Sequence, residues 1–230
     1  MRKGLLWLML LPGCLRAETP LFHDDFRQGG AQWRAEGNAS AILIFGDGPG
    51  IVMHNKMGMT VWFRERLTAP VKISYTAKVL SAGRVSDLNC FWMATDPAQP
   101  DGALFVPGVV RTGEFSIYDK LRTYYVGYGG NNNTTTRFRR YDGTGARPLL
   151  PQHDLSAPKF LLVPDHAYRI TLVAGADGHI QFIRDGEVVF DWMDPQPLRS
   201  GWFGFRSVDS QIEITDFQVH AGVPAGAGGH

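Results

Sequence analysis

The chain has 230 residues, of which 44% are hydrophobic and 12% aromatic, with 27 glycines, 14 prolines and two cysteines. Its 23 Lys and Arg nearly balance its 22 Asp and Glu, leaving a formal charge of +1. Such a balance excludes a general attraction to nucleic acid or to an anionic membrane surface.

In chain order, Arg2 and Lys3 precede an apolar run at residues 4–11 (GLLWLMLL). This is the pattern of a signal peptide, and it is shorter than the roughly 20 residues that cross a bilayer. Two ends of the leader are readable. Cleavage after Ala17 is one; the other is lipidation of Cys14, because Leu11-Pro12-Gly13-Cys14 resembles a lipobox. Either makes the chain an exported one, periplasmic, anchored at the outer membrane or extracellular, and only the second gives it a membrane contact, through a lipid at Cys14. Loss of residues 1–17 removes Arg2, Lys3 and Arg16, which moves the formal charge from +1 to −2. Residues 18–220 are expected to form one domain, and the low-complexity end, 221–230 (AGVPAGAGGH), a disordered tail.

Short strands with glycine and proline turns fill the domain. Ile42 to Phe45 and Ile51 to His54 flank Gly46-Asp47-Gly48-Pro49-Gly50, a hairpin signal. Residues 71–79 and 168–174 alternate apolar and polar side chains, as strands with one buried face do. Residues 179–184 and 187–191 flank Asp185-Gly186, a two-residue turn that matches strand twist. Residues 202–206 and 212–219 supply two more strands, and no window keeps a helical period with caps. Cys90, inside the apolar run 88–93, reads as a buried core thiol, so packing and not a disulfide holds the fold.

That closing order of strands resembles the concanavalin-like jelly rolls, with the strand at residues 21–26 beside the C-terminal one. The segments Val85-Ser86-Asp87-Leu88-Asn89-Cys90-Phe91-Trp92-Met93-Ala94 and Tyr124-Tyr125-Val126-Gly127-Tyr128-Gly129-Gly130-Asn131 resemble, more specifically, a YesU-like domain of unknown function. The resemblance implies an all-β, two-sheet antiparallel jelly-roll sandwich. It also implies a setting in bacterial polysaccharide utilisation, with a poly- or oligosaccharide as partner.

Glycans lie across the concave sheet of such folds, so polar and aromatic residues on one strand face are the candidates. Residues 124–142 (YYVGYGGNNNTTTRFRRYD) are the richest segment. Asn131 and Asn132 offer amides for sugar hydroxyls. Arg137, Arg139 and Tyr141 share one strand face, and paired guanidiniums suit the carboxylate of a uronate. Asp87, Asn89, Phe91 and Met93 share a face opposite Leu88, Cys90 and Trp92. His54, His153, Trp62 and Tyr124 complete the set, each with a bland alternative as a surface or core residue.

Three functions fit. The leading one is a metal-independent polysaccharide lyase on a uronate-containing glycan: Arg137, Arg139 and Asn131 neutralise the carboxylate, and Tyr125, Tyr141, His153 or His54 moves the C5 proton. The alternatives are a non-catalytic lectin-like module, and a glycoside hydrolase using Asp87 with Asp119 or Asp142. The sequence has no zinc signature, P-loop, Gly-x-Ser-x-Gly elbow or Glu-x-Asp-x-x-Glu strand. No cofactor or site metal is expected. Asp24 or Asp25 with Asp216 could hold a structural calcium on terminal strands, the competing reading being ordinary strand-end aspartates.

Overall fold

The computed structural model describes residues 19–46 and 48–222. The leader with Cys14, and the tail from residue 223, lie outside the described residues. In chain order the strands are β1 (Phe22–Asp24), β2 (Trp33–Gly37), β3 (Ile42–Phe45), β4 (Ile51–His54) and β5 (Met59–Phe63). Then come β6 (Leu67–Thr68), β7 (Val71–Val79), β8 (Asn89–Thr95), β9 (Arg122–Gly129), β10 (Thr135–Asp142) and β11 (Asp154–Leu155). The C-terminal third adds β12 (Tyr168–Ala174), β13 (His179–Arg184), β14 (Glu187–Met193), β15 (Ser200–Ser207) and β16 (Ile212–Ala221). Helix is confined to single turns among the described residues.

Two antiparallel sheets face each other. The first runs β14-β13-β12-β7-β16-β4-β3, with β1 also on β16; the second runs β11-β10-β9-β8-β15-β5-β2, with β6 also on β15. The architecture is the two-sheet jelly roll that the strand order implies. The first strand pairs beside the last, with Phe22 opposite Val219. Asp185 and Gly186 both take positive φ, as the two-residue turn between β13 and β14 requires.

Period-two alternation decides what lies between the sheets. Ile73, Tyr75, Ala77 and Val79 of β7 point inward, as do Tyr168, Ile170, Leu172 and Ala174 of β12. From the second sheet come Cys90, Trp92, Tyr124, Val126 and Phe138. One end of this layer is aromatic: Trp33 lies 4.9–5.4 Å from Phe26, Phe63, Phe205 and Phe217. Fully burying one such side chain is worth about 1.5–3 kcal/mol, so these rings are a large share of the core energy. Asp24 fixes the entry of the chain, accepting hydrogen bonds from Phe26 N and Trp33 Nε1. Cys90 is buried, and burial pushes its thiol up to about 12, where it stays protonated and inert.

One parity reading is corrected. Met93 does not share a face with Asn89 and Phe91, because the β8–β9 register shifts between Trp92 and Thr95 and Met93 takes φ 55°. The bulge turns Met93 into the inter-sheet core and Ala94 to the outer face.

The outer face of the second sheet is not bare. Residues 96–121 cross it as a strap, and Leu104, Phe115, Tyr118 and Leu121 pack on Trp62, Phe91, Tyr125 and Tyr141. Glu114 and Asp119 bracket the helical turn Phe115–Tyr118 of the strap. Buried charge anchors the strap. Arg111 donates to Glu36 Oε1 (3.1 Å), Asp96 Oδ2 (2.6 Å) and the Leu104 carbonyl (2.9 Å), while Trp62 Nε1 and Tyr118 OH donate to Glu36 Oε2.

Candidate functional site

The strap leaves open the part of the outer face made by β8, β9 and β10. There a cleft of about 340 Å³ is floored by Asn89, Tyr125, Gly127, Arg137, Arg139 and Tyr141. Strand parity builds the floor: positions 137, 139 and 141 alternate with Phe138 and Arg140, and Phe138 points into the inter-sheet core. Gly127 makes room for the neighbouring ring. A Cβ there would stand 3.1 Å from the Tyr125 hydroxyl, so the missing side chain lets Tyr125 lie across its strand.

The β9–β10 turn forms one rim. Asn131, Asn132 and Asn133 take φ of 53°, 58° and 59°, the left-handed region that asparagine tolerates better than most residues. Three asparagines in a row therefore serve the turn first. Asn133 is used structurally, donating to the Leu162 carbonyl and accepting from Leu162 N. Asn131 donates to Thr135 Oγ1, and Asn132 accepts from Arg84 Nη1. Only Asn131 and Asn132 line the cleft.

Charge in the cleft is nearly paired. Arg137 makes a two-point bond to Asp154 through Nε (2.8 Å) and Nη2 (3.1 Å), which holds that guanidinium to a protein carboxylate. Arg147 pairs with Asp119 at 2.6 Å, and Arg84 pairs with Asp87. Arg139 differs: its bonds go to the carbonyls of Arg147 (2.6 Å) and Pro148 (3.1 Å), with no carboxylate partner. Beneath the strap, beside Asn89 on β15, Arg206 is fully buried and also lacks a carboxylate in contact. Its bonds go to Thr60 Oγ1 and the Gly113 carbonyl, and its guanidinium lies 4.8 Å and 4.9 Å from the Tyr118 and Phe115 rings.

Five buried polar atoms around the cleft have no hydrogen-bond partner: Arg84 Nε, Asn89 Oδ1, Asp119 Oδ1, Tyr141 OH and Arg206 Nε. An unmade bond at a buried group costs about 1–3 kcal/mol, so their gathering in one place is not what packing alone would select. Burial pushes the Tyr141 phenol up, against the pull of Arg139 and Arg147, and burial pushes the Tyr125 phenol up as well. Both hydroxyls are therefore protonated at neutral pH and act as donors.

The other expected residues lie elsewhere. His153 is 5% exposed and sits behind the β10 strand, its ring 4.8 Å from Phe138 and 6.0 Å from Trp192. The groove expected to hold it with Arg139 is divided: His153 does not line the cleft, but shares with Arg139 a separate pocket of about 160 Å³ lined also by Phe138, Leu150 and Trp192. Burial lowers the His153 pKa below its ordinary 6.5, so the folded chain resists a proton that the unfolded chain takes up. Stability should then fall as pH drops through about 6.5. Thermal melts at pH 7.5 and 5.5 test this: wild type should lose more than His153→Phe, and equal losses would refute it.

Tyr124 faces the core, its hydroxyl bonded to Asp194 (2.6 Å). Trp62 lies on the correct face but is fully buried under the strap. His54 ends β4 in the opposite sheet. Asp24 is held by Trp33, and Asp216 by Arg169 and Gln218, so the aspartates considered for calcium are engaged by protein donors. Asp25 bonds to Arg27 N, and Asp142 turns to Thr144 outside the cleft.

Arg84, Arg147, Phe115 and Arg206 join the site without being expected there. The first three belong to loops or the strap, where spacing carries no direction. Arg206 has a signal in Trp202-Phe203-Gly204-Phe205-Arg206: the phenylalanines mark the core face, so Arg206 must point outward with Gly204.

Residues 53–217 match the family described as a domain of unknown function, DUF6250. The chain belongs to the DUF6250 family. The match spans the chain from β4 to β16 and takes in the whole cleft and strap. No curated protein matches in sequence. Among solved structures, a Bacillus subtilis protein of unknown function with a galectin-like fold superposes with TM-score 0.71 at 20% identity, over 90% of this chain and 98% of that one. The carbohydrate-binding module CBM66 from Bacillus subtilis gives 0.55 at 10% identity, over 83% and 96%. The exoplasmic/lumenal domain of VIP36, in a Ca²⁺/Man3GlcNAc-bound form, gives 0.55 at 13%, over 86% of each chain. At these identities the likeness is one of fold: this DUF6250 domain is a galectin-like jelly roll, an architecture shared with carbohydrate-recognition domains.

Proposed function

We propose that this DUF6250 domain is a non-catalytic, lectin-like module that holds an acidic saccharide in the outer-face cleft. The observation that carries the reading is the cleft's unmatched polarity. Arg139 is the lining arginine without a carboxylate, and on the same floor Tyr141 OH and Asn89 Oδ1 are buried without partners. A guanidinium takes a carboxylate through two parallel bonds, while the phenol donates to a sugar oxygen and the amide oxygen accepts from a hydroxyl. The folds it shares with sugar-binding domains support a saccharide as ligand. The resemblance to YesU-like domains fits a role in polysaccharide utilisation.

Lyase chemistry is less well supported. β-Elimination requires a group that accepts the C5 proton. His153 and His54 lie away from the cleft, and the two phenols in it hold their protons because burial raises them. Hydrolysis fits less still. Asp87 is bonded to Arg84, Ser86 and Asn89, Asp119 to Arg147, and Asp142 lies outside the cleft.

The test is affinity electrophoresis against polygalacturonate, alginate, glucuronoxylan, hyaluronan and neutral controls, with absorbance of the unsaturated product followed in parallel. Retardation by an acidic polymer without product is expected. Product formation would restore the lyase reading, and no retardation by any polymer would remove the saccharide reading altogether.

A further inference from the structure

We infer that the cleft is blind and seats the end of a saccharide chain in preference to its interior. The inference rests on the saccharide-binding reading above and names which part of the ligand enters. It follows from what stands around the floor.

On the side of β15, the next outward residue after Asn89 is Arg206, and it is sealed. The carbonyl of Gly113, in the strap, accepts from Arg206 Nη2 at 2.9 Å. Gly113 in turn meets Gly58, in the turn between β4 and β5, backbone to backbone. A Cβ on Gly113 would stand 2.0 Å from the Gly58 carbonyl oxygen, and one on Gly58 would stand 2.7 Å from that of Gly113. Both glycines take positive φ, +89° and +94°, so neither position accepts a side chain. The strap and the turn are thus pressed together over Arg206, with no room for a sugar ring to pass along the sheet in that direction.

Along the strands the cleft ends at Phe115. Its ring lies 5.3 Å from Tyr125 and 6.4 Å from Tyr141, with the Arg147 guanidinium 5.1 Å from it. At the opposite end the Asn131–Asn132 rim is tied to Arg84, whose guanidinium also bonds the Val208 carbonyl. Beside Arg139 the carbonyls of Arg147 and Pro148 form the last wall. With these four sides walled, the cleft opens away from the sheet, and the interior of a polymer, which needs an entrance and an exit along the floor, is given neither. The volume agrees, since about 340 Å³ is near the lower bound of roughly 300–1,000 Å³ for small-molecule sites. Of the atoms without partners, Asn89 Oδ1 lies on the β15 side of the floor and Tyr141 OH at the Phe115 end, so the terminal residue is met from two sides.

The experiment uses the acidic polymer from the panel above that retards the protein. It is cut by partial hydrolysis into preparations of decreasing mean length, and binding sites per gram are measured with the intact protein by isothermal titration calorimetry. Sites per gram are expected to rise with the number of chain ends, so halving the mean length should double them. Sites per gram that stay constant while binding persists would overturn the inference and leave saccharide binding standing. No binding to any panel member is a different result: it removes the saccharide reading, and this inference with it.

Discussion

Replacing Arg111 by alanine is expected to lower stability by about 3–5 kcal/mol, the cost of leaving a buried ion pair without one member. Glu36 and Asp96 are 6% and 9% exposed, and Arg111 is the cation that meets both. Its removal strands two carboxylates beneath the strap, while Trp62 Nε1 and Tyr118 OH still donate to Glu36. For a domain of about 200 residues, where 1 kcal/mol moves Tm by about 2–4 °C, the midpoint should drop by at least several degrees.

The triple variant Arg111→Met, Glu36→Gln, Asp96→Asn separates two explanations. If the cost is that of unpaired charge, removing all three charges should recover most of the loss, because well-packed neutral groups often replace buried ion pairs without penalty. If the triple variant is as unstable as Arg111→Ala, or if Arg111→Ala costs under about 1 kcal/mol, the network does not hold the strap as argued. Urea denaturation followed by tryptophan fluorescence reads both, since Trp62 lies directly under the strap.

What was legible in the sequence follows from where a period operates. Strands of seven or more residues have parity, and parity fixed both the inward row of β12 and the outward trio Arg137, Arg139 and Tyr141. Parity fails at bulges, because one extra residue inverts every later side chain; Met93 is that case. Composition also misleads where one residue type has two uses. The run Asn131-Asn132-Asn133 reads as a set of sugar-binding amides, yet its backbone angles show that a left-handed turn asks for asparagine first. His153 is close in sequence to the arginine strand, but it enters a second pocket beside Arg139 and not the cleft, and spacing in a loop carries no such information. The strap was invisible for the same reason: the ion pairs Arg111–Glu36 and Arg111–Asp96 join residues far apart, and only folding shows that they meet.

Substituting alanine for Arg139 is expected to weaken binding of the acidic saccharide by about 1.5–3 kcal/mol, the range of a hydrogen bond to a charged group, which is roughly 10- to 150-fold in Kd. The expectation is specific to this arginine. Arg137, Arg147 and Arg84 each face an aspartate, so their charge is already matched within the protein, whereas the bonds of Arg139 go only to carbonyls. Its surroundings tolerate the change, because Arg139 is half-buried at the β10 surface and its removal unpairs no carboxylate. Stability should therefore move far less than in Arg111→Ala. Arg139→Lys keeps the charge but loses the planar fork, so its affinity should lie between wild type and alanine. Arg122→Ala, exposed at the start of β9 outside the cleft, serves as the charge-matched control and should bind as wild type does. If both alanine variants weaken binding equally, the ligand responds to overall charge and not to a site. Unchanged binding in Arg139→Ala would move the anion's partner elsewhere in the cleft, to the unpartnered hydroxyl of Tyr141, where Tyr141→Phe would be the decisive variant.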